Sequence, residues 1–156
     1  MKWEFRSYDE LSKDELLALL KLRTDVFVVE QACAYPEIDN HDNAANTLHV
    51  LGFSMGEPQG SAGELAAYCR FMPHAPRREI RIGRVVVAEP WRRRGLARTM
   101  MLELMSKVSH LNYDLVLSAQ TTVIDFYASL GFVIESEEYV EDGIPHVDMC
   151  LRRELA

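Results

Sequence analysis

The chain has 156 residues, 48% of them hydrophobic and 26% charged, with a formal net charge of −7. These values suit one folded domain and exclude disorder or a fibrous repeat, and the negative charge argues against a bulk electrostatic grip on nucleic acid. No apolar run reaches the roughly 18 residues of a membrane span, acids and bases stand where a signal peptide has its apolar core, and Cys33, Cys69 and Cys150 suit reduced thiols in the cytoplasm, not a disulfide framework or a zinc knuckle.

Trp3 to Tyr8 alternates large apolar with polar residues and predicts a short strand. Ser12-Lys13-Asp14-Glu15 matches a capping box, and Leu16, Leu19, Leu20, Arg23 and Phe27 follow it as a helical stripe. From Gln31 to Asn46 the pattern dissolves into a long acidic loop, a kind of segment that is often functional. Thr47 to Phe53 and Glu64 to Met72 read as two strands of a hairpin, turning at Gly56-Glu57-Pro58-Gln59-Gly60 and Gly63. Pro73 and Pro76 break the chain. Ile80 to Ala88 holds Val85-Val86-Val87, a run expected of a strand buried on both faces. Gly95 to His110 is a helix whose inner face includes Leu96, Met100, Met101 and Leu104. Asp114 to Ala119 is another apolar strand, and Thr122 to Leu130 is a short helix capped by Gly131. Phe132 to Ser136, Glu138 to Glu141 and His146 to Leu151 are short strands, with Asp142-Gly143 as a turn. The pattern is that of a mixed α/β domain on one central sheet.

The most informative stretch runs from Val85 to Ala97. A strand feeds a loop, and the loop feeds straight into a helix. Amides at a helix start lack partners inside the helix and point outward with the positive end of its dipole, which makes an anion site. Gly95 and Ala97 are small enough for close approach, and Arg92, Arg93 and Arg94 add charge that forks onto phosphate oxygens. The same residues also fit a solvated basic run on a capped helix. Neither a Walker A pattern nor Gly-x-Gly-x-x-Gly occurs, so the phosphate sites those patterns mark are not indicated.

Arg92-x-x-Gly95-x-Ala97 resembles the Arg/Gln-x-x-Gly-x-Gly/Ala signature of the GCN5-related N-acetyltransferases, the GNAT family. Gln120, followed by Phe126-Tyr127-Ala128-Ser129-Leu130-Gly131-Phe132, is similar to that family's second block. Leu22-Arg23, Val26-Phe27-Val28-Val29-Glu30-Gln31 and Asp142-Gly143-Ile144-Pro145-His146 resemble its ElaA-like subgroup. Ala97 replaces the commoner second glycine, and Gln120 stands where many members have Asn. The resemblance implies an α/β GNAT (acyl-CoA N-acyltransferase) fold over 1–156: a central mixed, mostly antiparallel sheet, splayed between two neighbouring parallel strands and flanked by helices. It implies acetyl-CoA as co-substrate and a primary amine as acceptor, with no metal. The pantetheine arm would pair with the backbone of Val85 and Val87 around Val86. Arg92 and the amides of Arg93, Arg94, Gly95, Leu96, Ala97 and Arg98 would hold the pyrophosphate. Gln120 and Phe126 would flank the arm, and Tyr127 would protonate the departing thiolate.

An acceptor amine must lose a proton to attack, so a base is needed. Glu30, His146 and His49 are the candidates. Glu30 also reads as a surface carboxylate, and each histidine as a hydrogen-bonded strand residue. Tyr127 by spacing alone also reads as a core aromatic. Asp39, His41 and Asp42 read as loop surface, not a metal cluster. Glu135, Glu137, Glu138, Glu141 and Asp142, with Glu37, Asp39 and Asp42, are either a solubilising surface or a negative field drawing a cationic amine. A homodimer is compatible with the sequence, which does not show it. The rival to an enzyme is an acyl-CoA-binding regulatory module that keeps the fold without turnover.

Overall fold

In the computed structural model, which describes residues 1–55 and 63–153, eight strands form one sheet. The strands are β1 (Lys2–Ser7), β2 (Leu48–Phe53), β3 (Leu65–His74), β4 (Glu79–Val87), β5 (Asp114–Gln120), β6 (Val133–Ile134), β7 (Tyr139–Glu141) and β8 (Ile144–Leu151). Their spatial order is β1-β2-β3-β4-β5-β8-β6, with β7 also beside β8. All pairs are antiparallel except β4 with β5. The predicted turn at Gly56 to Gly60 lies outside the described residues.

The helix α1 (Lys13–Arg23) begins at the expected capping box. The amide of Glu15 donates to Ser12 Oγ at 3.0 Å, and the Ser12 amide donates to Glu15 Oε1 at 2.8 Å. Two of the amides orphaned at this end are thereby satisfied. The chain then widens into a π-helical segment, Thr24–Glu30, a form often found at functional sites. The helix α2 (Leu96–Val108) and the short α3 (Ile124–Ser129) follow β4 and β5.

The sheet separates two apolar layers, as the alternation of its strands requires. Phe71, Ile80, Ile82 and Leu117 pack under α2, against Met100, Met101 and Leu104. Leu51, Tyr68 and Val86 pack on the opposite face against Leu19 and Leu22 of α1. Val86 is 4% exposed, whereas Val85 and Val87 are only partly buried, so the triplet is not buried on both faces as its apolarity predicts. β3 also continues through Pro73 to His74, and the chain turns only at Ala75–Arg77.

Two irregularities open this sheet. β4 pairs with β5 from Glu79 opposite Asp114 to Ile82 opposite Leu117, and no further. β4 runs on to Val87 and β5 to Gln120, so the strands part at their C-terminal ends. A bulge lies just past the last pair: Arg70 faces Gly83 while Tyr68 faces Val86. Arg84 sits in it at φ 55°, a left-handed conformation costly for a side chain with a Cβ. A bulge bends its strand and increases its twist, and here it falls where β4 leaves β5.

Candidate active site

The splay opens into a cleft of about 1230 Å³. Val85, Val86, Val87 and Ala97 line it from the β4–α2 side; Gln120, Phe126, Tyr127 and His146 line it from the β5–α3–β8 side. From Gly83 onward, among the described residues, β4 has no strand on its β5 side, so its backbone edge is open to an extended ligand. A smaller hollow of about 380 Å³ adjoins at Val87, Ala97 and Phe126, and Arg92, Arg93, Gly95, Leu96 and Arg98 also line it.

The turn between β4 and α2 explains this second hollow. Gly95 caps α2 at φ 74° and Arg93 has φ 63°, so the chain doubles back before the helix starts. The first helical bond runs from the Thr99 amide to the Gly95 carbonyl at 3.1 Å. The amides of Leu96, Ala97 and Arg98 therefore precede the hydrogen-bonded ladder. A Cβ built on Gly95 would meet nothing within 4 Å. Left-handed backbone, not crowding, is what asks for glycine there.

The three arginines of the turn are used differently. Arg92 sends Nε to the Val87 carbonyl at 3.0 Å and forks onto Glu30 at 3.0 and 2.9 Å. Its fork is thus spent inside the protein, tying the turn to β4 and to the π-helical segment. Arg94 stacks over Trp91 at 4.7 Å, while Arg93 remains exposed. Glu30 and Arg94 line neither hollow.

Tyr127 is 7% exposed. Its ring packs edge-on against Phe126 at 5.0 Å and Phe132 at 5.9 Å. Burial, and to a lesser degree Cys69, raises its pKa above the usual phenol range, which keeps it protonated at neutral pH. Among the described residues its hydroxyl has no hydrogen-bond partner.

His146 lies opposite Gln120 in the β5–β8 ladder. Its Nδ1 is 2.7 Å from the Ile144 carbonyl, to which it must donate, so in the neutral ring Nε2 carries the lone pair. Nε2 is 3.8 Å from Glu141, and the ring stacks on Tyr139 at 6.0 Å. The Tyr139 hydroxyl in turn donates to Asp148 at 2.6 Å and also bonds Ser118. His49 is different: fully buried in β2, it bonds the Tyr68 hydroxyl at 2.6 Å and the Asp42 carbonyl at 3.0 Å. Burial lowers its pKa, and it is a packing residue away from the cleft.

Within the acidic loop Glu37 and Asp42 are buried and Asp39 is half-buried, so these carboxylates are not free surface charges, while His41 is exposed as expected. Arg23, fully buried, bonds Glu37 at 2.8 Å and forks onto Asp42 at 2.7 and 3.1 Å. Arg70 forks onto Asp39 at 2.7 and 2.8 Å and reaches Asp42 at 2.8 Å. Arg84 lies 3.0 Å from Glu37 and 3.3 Å from Asp39, and Tyr35 bonds Glu37. Three cations thus meet three anions, so Glu37, Asp39 and Asp42 do not add a negative field at the cleft mouth. Glu135 is likewise paired, with Arg152 at 2.6 Å. The signal in the sequence was Arg23 itself, a charge inside an apolar helical stripe, which folding can bury only with partners.

A strap formed by the start of this loop crosses the cleft. Gln31 accepts from Gln120 at 3.3 Å, and the Cys33 thiol donates to the Asp142 carbonyl at 3.3 Å.

A splayed β4–β5 pair with an open amide turn at the head of α2 defines a coenzyme-binding acyltransferase fold. An acetyltransferase (GNAT) domain model matches residues 61–153, and the chain belongs to that family. Within it the chain falls with the ElaA-like members. ElaA of Escherichia coli is 38% identical over 153 residues, covering 96% of this chain and 95% of ElaA. Its crystal structure has a TM-score of 0.85 at 36% identity, over 98% of this chain and 99% of that one. An acyl-CoA N-acyltransferase from Pseudomonas aeruginosa gives the same TM-score and identity over 96% and 97%. A UPF0039 protein of Schizosaccharomyces pombe is 37% identical, with 97% of each chain covered.

Proposed function

We propose that the protein is a single-domain N-acetyltransferase that moves the acetyl group of acetyl-CoA to a primary amine by direct attack. The observation that carries this reading is the continuity of the two hollows: unpartnered amides at the head of α2 open into the cleft between β4 and β5, where Tyr127 and His146 line the wall. In this reading the amides from Arg93 to Arg98 hold the pyrophosphate, helped by the helix dipole. The pantetheine arm lies along the open edge of β4 at Val85 and Val87, flanked by Gln120 and Phe126.

The amine nitrogen attacks the thioester carbonyl carbon, and a β4 amide near Val85 to Val87 donates to the oxyanion. His146 Nε2 takes the amine proton, and Glu141 faces the imidazolium that forms. The C–S bond then breaks, and the Tyr127 phenol protonates the thiolate. Glu30, engaged by Arg92, holds the turn and is not needed as the base. The products are an acetamide and free coenzyme A; His146 and Tyr127 return to their starting states through water.

The test is thiol release from acetyl-CoA with a panel of amines, comparing wild type with Tyr127→Phe. The phenylalanine keeps the packing against Phe126 and Phe132, so coenzyme affinity is expected to stay, while kcat falls on the order of 10²-fold or more, the range for loss of an acid. Unchanged turnover removes Tyr127 from the chemistry. Stabilisation by the coenzyme with no turnover on any amine assigns the protein instead to an acyl-CoA-binding module.

A further inference from the structure

Away from the coenzyme end, the cleft continues along the sheet and carries charge that acetyl transfer as described does not use. Arg77, Glu79 and Arg81 line that end, beside Met72 and His74. Arg70 and Arg84, the other arginines of the wall, are held by Glu37, Asp39 and Asp42. Arg77 and Arg81 are exposed, and among the described residues neither makes an ion pair. Two guanidinium groups against one carboxylate make this end cationic. At the other end Glu141 and Asp142 line the wall with His146 and make it acidic. A cleft polarised along its length orients a ligand that carries both signs.

Between the two ends the floor is bare. Gly83 lies on β4 between Arg81 and Arg84, and a Cβ built on it would meet nothing within 4 Å. Neither close packing nor left-handed backbone calls for a glycine here. Its effect is open space above the strand, inside the cleft. Register gives the distance. Arg81 lies opposite Val116, and Gln120, further along β5, lies opposite His146. At about 3.3 Å per residue those two levels are about 13 Å apart.

We infer that the acceptor is a primary amine bearing an anionic oxygen group, lying over Gly83 with its amine at His146 and its anion on Arg81 and Arg77. The inference rests on the transfer reading above. It gives the acceptor an anionic group beside its amine, which neither reading of the acidic residues, solubilising surface or field for a cationic amine, includes. Guanidinium forks onto carboxylate and phosphate alike. With the arginine side chain spanning part of the gap, the anion sits about 10 Å from the amine, which suits a short extended peptide with a free C-terminus.

Three acceptors of matched length test this: a tripeptide with a free carboxylate, its C-terminal amide, and an aminoalkyl phosphate. Each is read by thiol release from acetyl-CoA and by calorimetric binding. The acid is expected to exceed the amide in kcat/KM by about tenfold or more, the scale of a charge-assisted bond, with the difference in KM. Arg81→Gln brings the acid down to the level of the amide. Gly83→Val fills the floor with a residue that suits a strand; it raises KM for all three while coenzyme-induced stabilisation persists, which shows the variant is folded. A lead of the phosphate over the acid names phosphate as the anion. Equal binding and equal rates for acid and amide overturn the anion site and leave the transfer reading intact. Acid-selective binding without thiol release overturns the transfer reading and leaves the anion site.

Discussion

Two charged loops flank the cleft, each fastened by an arginine fork, and they do opposite things. In the loop from Gln31 to Asn46, Asp42 takes a fork from Arg23; the two side chains are 0% and 8% exposed. In the turn ahead of α2, Arg92 forks onto Glu30; those side chains are 36% and 41% exposed. Donor and geometry are alike, but the solvent differs. A buried charge whose partner is removed has no water to replace it, whereas an exposed pair exchanges its partner for water and salt. The first fork is therefore a structural anchor for the loop whose start crosses the cleft. The second is an adjustable tie that steadies a turn whose backbone amides remain open.

The largest effect expected from that contrast is on Arg23. Arg23→Ala leaves Asp42 and Glu37 facing each other in the interior with one cation fewer, at a cost of about 3–5 kcal/mol. Urea unfolding should show it as a lower midpoint at unchanged slope. A cost below about 1 kcal/mol, the value for an exposed pair, would mean that burial does not separate the two forks.

The same contrast explains what could be read from residues alone. The turn at Arg92 to Ala97 was legible because its chemistry is local. Strand, loop, glycine and helix start are contiguous, and the orphaned amides follow from the geometry of any helix end. The capping box at Ser12 was legible for the same reason. The acidic loop was not, beyond the hint of Arg23 in the preceding helix, because its meaning depends also on Arg70 and Arg84, which come from two strands far away in sequence. Burial turned two apparent surface carboxylates, Glu37 and Asp42, into core charges. Nor does anything in Val85-Val86-Val87 announce that β4 leaves β5 at Ile82. The bulge at Arg84 breaks the strict alternation on which such strand readings depend.

A middle effect comes from acid. Burial raises the pKa of Asp39, but the bonds and charge of Arg70, the His41 amide and the charge of Arg84 outweigh it and hold the carboxyl at about 2. In the unfolded chain the value is about 3.9. The folded value is the lower one, so the stabilisation is complete above about pH 4 and is lost as pH falls from about 4 to about 2. Its size at neutral pH is on the order of 2 kcal/mol. Asp39→Asn should melt at a lower temperature than wild type at pH 7, and the two melting curves against pH should converge near pH 2. Curves that run parallel throughout would mean that Asp39 is not the titrating anchor.

The smallest effect on stability is expected at the other fork. Arg92→Ala removes an ion pair open to solvent together with the bond from Nε to the Val87 carbonyl. The pair contributes about 0–1 kcal/mol and the bond from the charged guanidinium, half open to solvent, about 1.5 kcal/mol, so the loss should stay near ~2 kcal/mol. Because Arg92 ties the turn to β4, its removal lets the amides of Arg93 to Arg98 sample more conformations, and any ligand they bind must first reorder them. Coenzyme A affinity should therefore fall for Arg92→Ala. In Glu30→Gln, which keeps the tie to Val87 and loses only the exposed charge, affinity should fall less. The ratio of the two, measured by calorimetry beside their unfolding curves, separates a tie that orders the turn from one that merely decorates it: equal affinities in both variants and wild type would leave Arg92 with no part in shaping the site.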